Sequence, residues 1–212
     1  MKETLLFMSE TKIYSIREIF YSLQGEGFHS GKAAIFVRFS QCNLRCDFCD
    51  TEFDTILYRY NKEQLEHHIQ EILNKAKITQ KPLIIFSGGE PTLQLVEEES
   101  LCDGFYRCIE SNGFKLAPSW IEWVTISPKT KNIPQSILAR MQECKFLYPL
   151  FSFDEIQIYL QQYPHKHYCI QGIDRGDKAY LYAEFYKEMV EFCKKNPQVR
   201  LSVQLHKILQ IE

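Results

Sequence analysis

The stretch Cys42-Asn43-Leu44-Arg45-Cys46-Asp47-Phe48-Cys49 carries three cysteines, separated by three residues and then by two. Thiols so spaced can face one point only if the backbone wraps around that point as a loop. Thiolates are soft ligands that suit zinc, copper(I) or iron–sulfur clusters. Three of them on a four-iron cubane leave one iron without a protein ligand, and that iron can bind a substrate or a cofactor. A closed structural zinc site needs a fourth ligand, and none stands near in sequence. Cys102, Cys108, Cys144, Cys169 and Cys193 have no partner at metal-ligand spacing and read as buried thiols.

Other polar or glycine-rich segments follow apolar runs. Gln24-Gly25-Glu26-Gly27 ends the run from Ile16 to Leu23 and must be a turn or loop, because two glycines break any regular element. Ser87-Gly88-Gly89-Glu90-Pro91 follows Pro82 to Phe86; its glycines let backbone amides and carbonyls approach a ligand closely. Ser127-Pro128-Lys129 offers a hydroxyl and a cation after the run from Trp120 to Ile126. Gln171 stands just past His167 to Ile170.

The elements that must position these groups alternate between strand and helix. Ala33 to Phe39 reads as a strand with Ile35, Val37 and Phe39 on one face and Phe36 and Arg38 on the other. Asn61 to Lys77 is an amphipathic helix with Asn61 and Gln64 as a capping box. Pro91 opens a helix expected to reach Gly104. Strands follow over 105–110, 120–126, 145–150, 167–170 and 199–204. Helices cover 133–144, 152–162 and 177–196. This order predicts an α/β fold, a parallel-stranded partial (β/α) barrel with helices outside. Each informative loop then lies at the C-terminal ends of strands, where such folds bind ligands. No tandem repeat or linker divides the chain, so residues 1–212 read as a single domain.

The cysteine loop, with Phe48 before its last cysteine, resembles that of the radical S-adenosylmethionine superfamily. The resemblance implies a [4Fe-4S] cluster on Cys42, Cys46 and Cys49. It implies S-adenosyl-L-methionine on the open iron, giving a 5′-deoxyadenosyl radical that abstracts a substrate hydrogen, so that no side chain need be catalytic. Phe48, Cys49, Asp50, Gly89, Glu90, Ser127, Pro128, Lys129 and Gln171 would border that cofactor.

Four further segments narrow the resemblance. They are Glu18 to Gly27, Phe36-Val37-Arg38-Phe39, Cys49-Asp50-Thr51 and Ser202 to Lys207. Together they are similar to the 7-carboxy-7-deazaguanine synthase family over nearly the whole chain. That family converts 6-carboxy-5,6,7,8-tetrahydropterin to 7-carboxy-7-deazaguanine with loss of ammonia, in 7-deazapurine (queuosine) biosynthesis. The resemblance assigns Leu23, Gln24, Gly25, Glu26, Arg38, Ser87, His206 and the C-terminal Glu212 to the pterin, with His206 reaching in from the last strand. It assigns Thr51 to a magnesium ion, Mg2+, at the substrate carboxylate. It also implies a homodimer and an electron donor such as flavodoxin or ferredoxin. Gly172 replaces a common proline and Leu205 a small polar residue. The rival reading is a glycyl-radical enzyme activase, which shares the cysteine loop but needs an open face for a partner protein.

Composition fits a packed enzyme. Of the 212 residues, 45% are apolar and 14% aromatic, enough for a core without disulfide staples. A net charge of −2 gives no global reason to expect nucleic acid or an anionic membrane as partner. No apolar run approaches the ~18 residues of a membrane span. The N-terminus lacks a secretory pattern, so the expected compartment is cytoplasmic.

Overall fold

A computed structural model describes residues 11–173 and 183–211. Among these described residues nine strands form one sheet in the order β3-β1-β2-β4-β5-β6-β7-β8-β9. They are β1 (Tyr14–Leu23), β2 (Ala33–Phe39), β3 (Tyr58–Tyr60), β4 (Leu83–Gly88), β5 (Arg107–Ser111), β6 (Trp123–Ile126), β7 (Glu143–Tyr148), β8 (His167–Gly172) and β9 (Val199–Ser202). The helices are α1 (Lys62–Lys75), α2 (Gln135–Arg140), α3 (Phe153–Gln162), α4 (Ala183–Lys195) and α5 (Leu205–Leu209). From β2 through β4 to β9 every pairing is parallel, and the sheet does not close. The partial barrel expected from the sequence is therefore present.

Three expectations change. β1 runs antiparallel to β2 and to β3, so the sheet is parallel only from β2 onward. A short loop joins β1 to β2, and a loop of that length returns a strand beside its predecessor rather than crossing over. The helix expected after Pro91 is a single 3₁₀ turn, Pro91–Leu93. The next side chains are spent anchoring other segments: Gln94 bonds the backbone of Ser15 and Ser40, Glu97 takes Ser119, and Glu99 takes the Tyr14 hydroxyl. The helix expected over 133–144 shrinks to α2, because Glu143 and Cys144 already belong to β7. The first part of the helix expected over 177–196 lies outside the described residues.

Strand alternation sorts the barrel into two cores. Ile35, Val37, Phe39, Ile84, Phe86, Ile109, Val124, Ile126, Phe146 and Ile170 face outward and meet α1, α2, α3 and α4. Ala34, Phe36, Ile85, Cys108 and Trp123 face inward and fill the barrel, with Phe20, Phe28 and Leu83 packed against them. Above this plug, the inward positions turn polar.

The Phe28-His29 corner sits among the rings of Trp123, Tyr106 and His167. His29 is only 7% exposed, and both its ring nitrogens lack hydrogen-bond partners among the described residues. Burial, helped by Lys32, pushes its pKa below the ordinary 6.5. The unfolded chain therefore takes up this proton more readily than the fold. Stability is full above about pH 6.5 and falls as pH drops below it. His29→Phe removes both the buried unsatisfied polar atoms and the titration. It is expected to add about 1–2 kcal/mol at pH 7, and more at pH 5.5. Urea unfolding at the two pH values measures this; a histidine variant and wild type that lose stability in parallel would refute it.

Candidate active site

A cavity of about 480 Å³ opens at the C-terminal ends of the parallel strands. Cys42, Cys46 and Cys49 all line it, while Cys102, Cys108, Cys144 and Cys169 are buried elsewhere and Cys193 is half-buried rather than enclosed. The loop is tightened by the Cys49 amide donating to the Cys46 carbonyl at 3.0 Å. The Leu44 amide points at Cys42 Sγ, 3.4 Å away, and Asn112 Nδ2 lies 3.9 Å from the same sulfur. Burial pushes the Cys42 and Cys46 thiols up, and Lys129 pulls Cys46 part of the way back. Such thiols deprotonate for a strongly charged metal group.

Among the described residues, no three His, Cys, Asp or Glu side chains converge tightly enough for a single metal ion. A four-iron cluster spreads its thiolates over separate irons and asks for a wider spacing. Three partly accessible thiols on one cavity wall, with backbone and amide N–H donors aimed at one sulfur, fit that group.

Backbone contact fixes the loop to the next strand end. Gly88 adopts φ +110°, and a Cβ there would stand 2.3 Å from the Phe39 carbonyl oxygen. A Cβ on Gly89 would stand 1.8 Å from the Gln41 carbonyl oxygen, so only glycine lets β4 approach the residue before Cys42. Ser87 and Gly89 line the cavity. Glu90 does not. It is fully buried, and its carboxylate accepts from the Thr92 amide and hydroxyl, the Ser111 hydroxyl and the Asn112 amide. Its side chain ties the β4 and β5 ends together.

The remaining residues singled out in the sequence divide unevenly. Phe48, Asp50, Thr51, Ser127, Lys129 and Gln171 line the cavity; Pro128 does not. Lys129 Nζ donates back to the Ser127 carbonyl and hydroxyl at 3.0 and 2.8 Å. Gln171 Oε1 accepts from the Ser202 hydroxyl at 2.8 Å. Asp50 receives Lys207 Nζ at 2.6 Å and Gln204 Nε2 at 3.1 Å, which clasps the cysteine loop to the C-terminal segment.

Leu23, Gln24, Gly25, Glu26 and Arg38 also line the cavity wall. Arg38 Nη1 lies 2.9 Å from Glu18, and its guanidinium stacks over Phe20. Its charge thus has a partner within the chain. His206 lines the same wall but belongs to α5, not to the last strand. Its ring packs so closely on Gly25 that a Cβ there would fall 2.3 Å from Nδ1. Burial lowers its pKa, reinforced by Lys207 and Arg38 and opposed by Glu26 and Asp50. Glu212 lies outside the described residues.

Several cavity residues escaped the sequence reading. Glu110, Asn112, Lys145 and Gln204 all line it. Glu110 and Lys145 occupy inward positions on β5 and β7, two residues beyond the inward Cys108 and Glu143. Extending the strand alternation used for Arg38 to these strands would have found both.

An open, mostly parallel α/β barrel with a three-thiol loop at its strand ends defines the architecture of a radical S-adenosylmethionine protein. The Radical SAM superfamily model matches residues 36–132. The crystal structure of QueE from Escherichia coli superposes with a TM-score of 0.69 over 92% of this chain and 95% of that one, at 24% identity, a likeness of fold. The 7-carboxy-7-deazaguanine synthase of Bacteroides thetaiotaomicron is 37% identical over 201 residues, covering 92% of this chain and 97% of that protein. The enzyme of the same name from Bradyrhizobium diazoefficiens is 32% identical over 220 residues, covering 93% and 99%. The chain belongs to the 7-carboxy-7-deazaguanine synthase family.

Proposed function

We propose that this protein converts 6-carboxy-5,6,7,8-tetrahydropterin to 7-carboxy-7-deazaguanine with loss of ammonia. The observation that carries the reading is one cavity lined both by the three thiols and by Gln24, Glu26, Arg38 and His206. A docking surface for a glycyl-radical partner would need that space open to a protein chain; here Asp50, beside the last cysteine, is tied to Lys207 and Gln204 of the C-terminal segment, and all three line the cavity.

Cys42, Cys46 and Cys49 would hold a [4Fe-4S] cluster, which with bound S-adenosyl-L-methionine supplies one-electron radical chemistry. The protein's own residues hold and seclude the reactants. Gly89 gives the bound cofactor a backbone-lined wall, Ser127 and Lys129 border it, and Ser87 faces the pterin. Gln24 and Glu26 face the pterin ring. Arg38 keeps guanidinium donors beyond the one given to Glu18, so its fork can hold the substrate carboxylate as well. The Thr51 hydroxyl would give magnesium one protein oxygen, in keeping with an ion that retains most of its waters. The reading extends to a small-protein electron donor and to a homodimer.

Anaerobically reconstituted protein, given the pterin, S-adenosyl-L-methionine and a reductant, should yield 7-carboxy-7-deazaguanine and ammonia without net consumption of the cofactor. Cofactor cleavage that leaves the pterin intact would overturn the reading. Arg38→Lys keeps the charge but loses the fork. Pterin affinity should fall about tenfold, the low end for a charge-assisted pair because Glu18 already shares the group. S-adenosyl-L-methionine affinity should hold steady, and an equal loss of both would make Arg38 structural.

A further inference from the structure

Lys145 projects inward from β7 between two acids of different elements. Its ammonium meets Glu110 at 2.7 Å, on β5, and Glu26, on the loop after β1. The Lys145 side chain is 5% exposed, against 15% for Glu26 and 23% for Glu110, so the lysine is the buried member and the acids are the ones presented to the cavity. Each acid is held from its other side by an amide. Gln24 Nε2 donates to Glu110 at 2.8 Å, and Gln204 Nε2 donates to Glu26 at 3.1 Å. Two acids and one base leave this group with a net charge of −1, in a cavity whose other charged side chains are the cations Arg38, Lys129 and Lys207 and the acid Asp50.

Two carboxylates so close cannot both ionise unless a cation lies between them. Burial alone would raise the Glu26 carboxyl, but the Lys145 ammonium outweighs burial and holds it down at about 2. Ionised carboxylates accept hydrogen bonds only; a protonated one turns a lone pair into a donor. Which state the pair holds therefore decides which ligand edge it welcomes.

We propose that Lys145 is a positioning residue that keeps Glu26 and Glu110 ionised and fixed as a pair of acceptors, so that the cavity selects a ring presenting several N–H donors over an isostere presenting carbonyl oxygens. This inference rests on the pterin reading above and names how that substrate would be told from an oxo analogue. Lys145 acts through the two acids, and the acids make the contact. Lys129, His206 and, through Gln204, Asp50 are the other charged or titratable groups facing the triad.

The test is equilibrium binding on the reconstituted protein, without turnover, over pH 5.5–9. The ligands are the carboxypterin, its 2-oxo analogue in place of the 2-amino compound, and S-adenosyl-L-methionine. Wild type should bind the pterin with little pH dependence from the pair and should discriminate against the oxo analogue. Lys145→Met should weaken pterin binding about ten- to hundredfold at pH 7, with affinity recovering as pH rises and the second carboxyl ionises. Discrimination against the oxo analogue should shrink. Lys145→Arg keeps a cation between the acids and should restore the flat pH profile. S-adenosyl-L-methionine affinity should be unchanged in both.

Removing one charge from a buried group can unfold a chain, so Glu110→Gln serves as the second variant, because it leaves the Lys145–Glu26 pair intact. It should lose at least about tenfold in pterin affinity and most of the discrimination. If wild type does not take the pterin, the functional reading falls and this inference with it. If wild type binds it but Lys145→Met and Glu110→Gln bind it equally well with flat pH profiles, the inference alone is overturned.

Discussion

Cys42→Ala, Cys46→Ala and Cys49→Ala are each expected to abolish the oxygen-sensitive cluster absorption and reduce activity below detection. Cys102→Ala should keep both. The contrast follows from placement. The first three thiols line one cavity wall on a loop free of regular structure, where a metal group can gather them. Cys102 is 3% exposed, and burial pushes its thiol far above the ordinary value, so it behaves as a small apolar side chain. Loss of one ligand from a set of three leaves a second iron open and the cluster unstable. Cys108, Cys144 and Cys169 do not substitute, because they are buried within β5, β7 and β8 and none lines the cavity. Iron and sulfide analysis after anaerobic reconstitution checks cluster content independently of turnover. A full complement of iron in any of the three variants would remove that cysteine from the ligand set.

The sequence exposed the cysteine loop and the run of glycines because both depart from what a packed element tolerates. Thiols at i, i+4 and i+7 would form a stripe about 10 Å long on a helix and meet at one point only on a loop, and paired glycines do not extend a regular element. Arg38 was legible for a related reason: alternation within β2 placed it opposite Val37 and Phe39, on the cavity side. What alternation could not show was Glu18 across the antiparallel β1–β2 pair, since Arg38 and Glu18 meet by register rather than by sequence spacing. The buried place of the Glu90 side chain was not legible either, since it stands beside the cavity-lining Gly89. There it accepts four hydrogen bonds from residues 92, 111 and 112. Lys145 and Glu110 are legible only through alternation, which sets them on the inward face with Glu143 and Cys108; nothing in local spacing joins the two. Their partnership spans 35 residues of chain. His206 was placed on a strand because the preceding residues are β-prone, yet Leu205 donates its amide to the Gly25 carbonyl at 3.0 Å and α5 begins there.

Gly89→Ala is expected to cost more stability than any other single methyl added at the site. The Cβ would meet the Gln41 carbonyl oxygen at 1.8 Å, the Gln41 carbonyl carbon at 2.5 Å and the Cys42 amide nitrogen at 3.1 Å. All three are backbone atoms, so no side chain can swing away. Gln41 already holds a left-handed conformation with φ 76°, and its carbonyl accepts the Glu90 amide at 2.9 Å. Relief therefore requires the β4 end and the start of the cysteine loop to part, which breaks that bond and the one from the Gly89 amide to the Phe39 carbonyl at 3.0 Å. Two broken backbone hydrogen bonds and the strain of separation together amount to about 3–5 kcal/mol. The loop displacement carries Cys42 with it, so cluster content should fall along with the unfolding midpoint. Gly31→Ala is the control: its Cβ would meet nothing within 4 Å, and only its positive φ of +84° would add cost, about 1 kcal/mol. Thermal unfolding and iron content measured on both variants separate the two effects. Wild-type stability and a full cluster in Gly89→Ala would show that the β4 end does not press on the cysteine loop.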